Sequence, residues 1–199
     1  MEHEPKEYDK SQGSESPGAE RDLADRLSSR VAAVRVPVIA KLNGVASGAG
    51  CDLALGCDLR FASSEARLSM PPARLGILYG RRGTARLVRT VGPARAKELL
   101  FSGELVSAER AFDIGLVDRV VAPHRLDEEV AAFVQAVVEN APLSVEASKL
   151  IVNLLAGGEP SPEALARIEA ASERVWASED AKEGPAAFRE RRRPEFRGR

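Results

Sequence analysis

Gly48-Ala49-Gly50-Cys51-Asp52 is the stretch whose residue types and spacing suit chemistry best. It follows an apolar, β-branched run with Val36, Val38 and Ile39, and it leads into the short apolar segment Asp52-Leu-Ala-Leu. Such a pattern predicts a strand, a small-residue loop over 43–50 and then a helix. Small side chains let a ligand touch backbone, and the first N–H groups of a helix lack intrahelical acceptors. The chemistry that follows is stabilisation of an oxygen on which negative charge develops. Asp52 has two readings, a first-turn carboxylate facing the helix dipole or a catalytic acid or base. A dinucleotide fingerprint is poorly matched, because Leu53 stands where its third glycine belongs.

Other chemistries find little support. The histidines are His3 and His124, and Cys51 and Cys57 form no CxxC pair. A zinc site and a histidine-based triad are therefore not expected. The two cysteines flank one short apolar element, which disfavours a disulfide between them. The formal charge of −1 over 199 residues gives no general attraction to nucleic acid or anionic membrane. The tail 187–199 is locally basic, with six arginines against Glu190 and Glu195. MEHEPKEYDK has no apolar signal core and no segment reaches membrane-span length, so a cytoplasmic location is the default expectation.

The elements that must position the loop follow from periodicity. Residues 1–20 are polar and rich in Ser, Gly, Pro and Glu, and read as a disordered leader or loop. Leu23, Leu27, Val31 and Val34 have the spacing of one helix face. Asp58–Ser63 alternates like a strand, and Arg67–Met70 reads as a second. Met70–Gly80, with Pro71, Pro72, Gly76 and Gly80, is expected to be a fixed irregular loop. Helices are predicted near 84–90 and 93–101, a Ser107-capped helix stopped by Gly115, and a strand over 116–121. Beyond residue 121 the apolar spacing is helical throughout, with Ser161 and Ser178 as cap residues. The domains expected are a core over 21–139 and a helical region over 140–199.

The motifs Pro37-Val-Ile-Ala-Lys-Leu-Asn-Gly, Gly48-Ala-Gly-Cys-Asp-Leu-Ala-Leu, Cys57-Asp-Leu-Arg-Phe-Ala, Gly83-Thr-Ala-Arg-Leu, Leu100-Phe-Ser-Gly, Ala111-Phe-Asp-Ile-Gly-Leu-Val-Asp and Phe188-Arg-Glu-Arg-Arg-Arg-Pro-Glu-Phe occur in that order. With them the chain resembles the crotonase, or enoyl-CoA hydratase/isomerase, superfamily from about residue 30 to 199. The resemblance implies an α/β fold, a spiral of β-β-α turns with an α-helical C-terminal region that forms trimers or dimers of trimers. It implies an acyl-CoA substrate whose thioester oxygen is held by backbone N–H groups, and no cofactor beyond that CoA. The Ala49 amide falls on one oxyanion donor, with Gly48 and Gly50 beside the thioester. Phe188 and Arg191 fall on positions that contact the CoA of a neighbouring subunit.

Two departures shape the expected reaction. The positions of the family's two catalytic glutamates carry Asp52, a shorter carboxylate, and Pro72, which lines the acyl group without transferring protons. The Met70–Tyr79 loop resembles that of methylmalonyl-CoA decarboxylase-like members, with Tyr79 beside the acyl group. A neutral phenol orients a substrate carboxylate without titrating near neutrality; the alternative is a half-buried tyrosine anchoring its loop. No stretch matches the family's N-terminal strands or its first oxyanion loop. Three functions remain open: an acyl-CoA lyase or isomerase, a malonyl-type acyl-CoA decarboxylase, and a truncated acyl-CoA-binding or assembly protein without catalysis.

Overall fold

The computed structural model describes residues 17–199, with side chains from residue 23 onward. The leader expected over 1–20 lies outside the described residues up to residue 16, and its last four residues are helical. They open α1 (Pro17–Ala32), which is followed by β1 (Ile39–Leu42), β2 (Val45–Ser47) and α2 (Ala49–Gly56). The next turn comprises β3 (Leu59–Ser63), β4 (Arg67–Ser69), a 3-10 turn at Ala73–Leu75 and α3 (Arg81–Ser102). Then come β5 (Val106–Ser107), α4 (Ala108–Asp113) and β6 (Arg119–Val121).

One sheet has the order β1-β3-β6, all parallel; the other is β2-β4-β5, with β2 and β4 parallel and β4 and β5 antiparallel. Ile39 pairs with Leu59 and Val45 with Arg67, so each strand stacks on its counterpart one β-β-α turn later. This is a spiral, and it corrects two expectations. The 43–50 segment contains β2, a strand too short and too poor in large side chains to show in the sequence. Its inward residue Ala46 is buried, while Val45 and Ser47 are exposed. The strand at 58–63 does not alternate in burial. Lying between β1 and β6, it buries Arg60, Phe61, Ala62 and Ser63 on both faces. Arg60 is tolerated there because its guanidinium donates to the Leu116 and Cys57 carbonyls and pairs with Asp118 at 2.8 Å. Val36, expected within the first strand, is exposed, and pairing begins at Ile39, after Pro37.

α3 is two helices across a kink at Gly92 (φ 75°), as the Gly92-Pro93 pair predicts. Ser107 Oγ accepts from the Arg110 amide at 3.2 Å, and Gly115 (φ 75°) follows the end of that helix. Between sheets and helices lies a core of Cys51, Leu68, Met70, Leu87, Leu99 and Leu116, all buried. α5 (Leu126–Val138) packs Phe133 edge-on against Phe61, ring centres 5.4 Å apart. Lys149 of α6 (Pro142–Leu155) reaches the Asp58 carboxylate at 2.7 Å and the Val36 carbonyl at 2.9 Å. α7 (Pro162–Trp176) and α8 (Asp180–Glu190) follow, capped by Ser161 and Ser178. The basic tail folds back on α8: Asp180 accepts the Arg197 and Gly198 amides, and Glu183 accepts from Arg192.

The largest correction concerns α1. Leu23 and Leu27, expected on its buried face, are 55% and 49% exposed. The face turned to α2 carries Ser28, 1% exposed, flanked by Asp25 and Ser29. The reason lies in what those polar groups meet.

Candidate active site

The start of α2 is built by two hydrogen bonds. The Gly48 amide donates to the Ser69 carbonyl of β4 at 3.0 Å, and the Asp52 amide donates to the Gly48 carbonyl at 2.9 Å. Ser47 and Ser69 hydroxyls, 2.7 Å apart, brace the same junction. Because the first helical bond belongs to Asp52, the Ala49, Gly50 and Cys51 amides have no intrahelical acceptor. No side chain caps this helix. Gly48 sits at φ 54°, ψ −114°, a conformation that L side chains rarely adopt. A Cβ added at Gly48 or Gly50 meets nothing within 4 Å, so open space surrounds the loop. Ala49 and Gly50 are exposed.

Asp52, three residues on, is 3% exposed and fully engaged. Arg86 Nη2 donates to both its oxygens at 2.7 and 2.8 Å, and Arg86 Nε adds a third bond at 3.0 Å. The Ser28 hydroxyl donates to Asp52 Oδ2 at 2.8 Å, and Arg86 Nη2 also reaches Asp25 at 2.9 Å. Burial opposes the charge on Arg86, but Asp52 and Asp25 outweigh it and raise its pKa. α1, α2 and α3 thus meet at one carboxylate. This explains why α1 turns its polar face inward.

Tyr79 and Pro72 arrive on the 70–80 loop. Pro72 is buried, and its carbonyl accepts from the Leu75 and Ile77 amides at 3.1 and 3.0 Å. The Tyr79 ring lies over Gly83, where an added Cβ would sit 2.5 Å from Cε1 and 3.0 Å from Asp52 Oδ1. Its hydroxyl is buried without a hydrogen-bond partner among the described residues. Burial first, then the Asp52 charge, push its pKa upward, so the phenol stays neutral. Cys51 is buried beside them, its thiol pushed up to about 12 by burial and then by Asp52.

The fold therefore brings Asp52 and Tyr79 together around Gly83, with Ala49 in the same first turn as Asp52. Phe188 and Arg191 stand apart at the end of α8. Phe188 is 85% exposed and Arg191 closes the helix at φ 57°. Neither hydrogen-bonds to Gly48–Asp52 among the described residues. Asp25, Ser28, Gly83 and Arg86 escaped the sequence reading. The available signal was Arg86 itself, a charge at an apolar spacing in Gly83-Thr-Ala-Arg-Leu. Among the described residues, no group of three His, Cys, Asp or Glu side chains could hold a metal ion, and no helix is long and apolar enough to cross a membrane.

The β-β-α spiral with an open amide turn between strand and helix defines a crotonase-type protein. Residues 9–199 match the enoyl-CoA hydratase/isomerase family, and the chain belongs to it. It is 40% identical over 175 residues to a crotonyl-CoA hydratase of Syntrophomonas wolfei, covering 87% of this chain and 66% of that protein. It is 39% identical over 173 residues to a short-chain-enoyl-CoA hydratase of Clostridium acetobutylicum, with the same two coverages. Among solved structures, an enoyl-CoA hydratase of Bacillus anthracis superposes with a TM-score of 0.84 at 32% identity, over 94% of this chain and 73% of that one. The chain spans about two thirds of the length of these curated relatives.

Proposed function

We propose that this chain binds an acyl-CoA thioester at the start of α2 and promotes a reaction passing through its enolate. The observation that carries the reading is the set of acceptor-free amides at Ala49 and Gly50, opening on space that no side chain fills. A thioester oxygen there gains negative charge as the enolate forms, so the Ala49 N–H binds the transition state better than the ground state. Gly48 and Gly50 keep the approach clear, Pro72 lines the acyl group, and CoA is substrate rather than cofactor. Phe188 and Arg191 act in a trimer or dimer of trimers, on the CoA of a neighbouring copy.

Within this class, loss of CO2 from a malonyl-type acyl-CoA fits the side chains better than addition of water. Hydration needs one group to activate water and another to move a proton. Pro72 has no proton, and Asp52 spends its oxygens on Arg86 and Ser28. Decarboxylation needs less. The bond between the α-carbon and the carboxylate breaks, CO2 leaves, and the electron pair moves into the enolate whose oxygen Ala49 holds. Water then returns a proton to the α-carbon. Tyr79, a neutral phenol, donates to the substrate carboxylate and so binds and orients it before the bond breaks.

The test is turnover by the purified chain on crotonyl-CoA and on malonyl-type thioesters. CO2 release is expected, with kcat/KM falling about 10–100-fold in Tyr79→Phe, chiefly through KM, the value of one hydrogen bond to a charged group. An unchanged kcat/KM in that variant removes Tyr79 from the mechanism. Thioester binding without turnover of any substrate identifies an acyl-CoA-binding protein instead.

A further inference from the structure

A cavity lies at the C-terminal end of α2. A cleft of about 1190 Å³ is walled by the first half of α3 on one side and by α5 and α6 on the other, with Leu55 and Gly56 at its base. At 1.5 Å per helical residue, Ala49 is about 10 Å away along α2. The base of the cleft is thus at the far end of α2 from the thioester turn, while Arg86 on its wall reaches back to Asp52.

Its charge is one-sided. Six cations line it and one carboxylate, Asp58. Lys149 already satisfies Asp58, Arg86 is neutralised by Asp52 and Asp25, and Arg60 pairs with Asp118. Arg81, Arg82 and Arg89 are left, all exposed, with no carboxylate partner among the described residues. Two of the three work against the helix that carries them. Arg81 and Arg82 occupy the first turn of α3, at the positive end of its dipole. Both placements are destabilising. Two first-turn cations kept against local stability on the wall of one cavity point to a binding role. Asn140, Ser144 and Ser148 add polar groups that can donate to an anion, while Val137, Val145 and Val152 offer an apolar wall.

We infer that this cleft binds a phosphate-bearing small molecule, its phosphate held by Arg81, Arg82 and Arg89 and its body against α5 and α6. Arginine suits this through paired donation to phosphate oxygens. Inorganic pyrophosphate is the probe, titrated calorimetrically into the full chain with sodium chloride holding ionic strength constant. Saturable binding is expected, weakened tenfold or more in the Arg81→Ala/Arg82→Ala/Arg89→Ala variant and unchanged in Arg95→Ala. Single variants and circular dichroism separate lost binding from lost folding, and the triple variant is expected to melt no lower than the parent. Coenzyme A that displaces pyrophosphate identifies the acyl carrier's phosphates as the occupant, and binding indifferent to coenzyme A identifies a separate metabolite. Absence of saturable binding by the parent, or equal binding by the triple variant, overturns the inference.

Discussion

Arg86→Met tests the central claim that one buried ion pair sets the geometry of the site. The substitution removes three bonds to Asp52 and one to Asp25, and leaves a carboxylate that is 3% exposed with only the Ser28 hydroxyl. Removing one partner of a buried pair costs about 3–5 kcal/mol, because the other charge stays desolvated. For a chain of this length each kcal/mol shifts Tm by about 2–4 °C. Arg86→Met should therefore melt about 6–20 °C below the parent in a circular dichroism scan. Arg95→Met, which breaks the exposed pair with Glu98, is the control and should cost less than about 1 kcal/mol. Adding Asp52→Asn to Arg86→Met removes the stranded charge, so the double variant should lose less than the sum, with a coupling of about 1–3 kcal/mol. An Arg86→Met variant melting within about 2 °C of the parent, or strict additivity in the cycle, refutes the reasoning.

Three further outcomes follow from the same geometry. Gly83→Ala places a Cβ 2.5 Å from the edge of the Tyr79 ring and should cost about 1–3 kcal/mol by urea unfolding; most of that loss should vanish in a Tyr79→Ala background, and an equal loss in both backgrounds would count against the contact. Cys51, pushed up to about 12, should resist iodoacetamide at pH 8 in the native chain and react once denatured. Peptide mass analysis reads this, and native labelling at a free thiol's rate contradicts it. Glu183 is held down to about 2, against an ordinary 4.5, by the Arg192 guanidinium and then by the Glu195 amide. Its folded pKa is depressed, so its contribution is complete above pH 4.5 and is lost as pH falls through about 2. A carboxyl NMR titration should find its midpoint near 2, and a midpoint near 4.5 would show that the tail is not docked.

Much of the spiral was legible because its elements announce themselves locally. Ser107, Ser161 and Ser178 cap the helices they were expected to cap, Gly92-Pro93 breaks α3, and Gly115 follows the end of α4. The amide turn at Gly48–Gly50 was legible too, since small residues before an apolar segment leave few alternatives. What escaped notice depends on contacts remote in sequence. Asp52 to Arg86 spans 34 residues and Ser28 to Asp52 spans 24, and periodicity carries no information about such pairs. β2 was hidden because three residues with one small buried side chain give no alternation to read.

The inverted face of α1 shows how the site can overrule hydrophobic patterning. Burying Leu23 and Leu27 would be worth about 1.5–3 kcal/mol each, yet the chain turns Asp25 and Ser28 inward instead. The alternative packing would leave Arg86 with one carboxylate partner fewer and Asp52 without the Ser28 hydroxyl, each a desolvated group short of a bond. Close approach adds a second constraint, because a Cβ at Gly56 would lie 2.6 Å from the Ser28 carbonyl. α1 can sit this tightly on α2 only with glycine at that position. Polar satisfaction at Asp52 and the Gly56 contact together fix the rotation of α1. The same pairing that orients α1 ties down the first turn of α2, where the Ala49 amide points outward. In this chain the carboxylate at position 52 anchors the amide turn at Gly48–Gly50, in keeping with the proposed reaction, which asks no proton transfer of it.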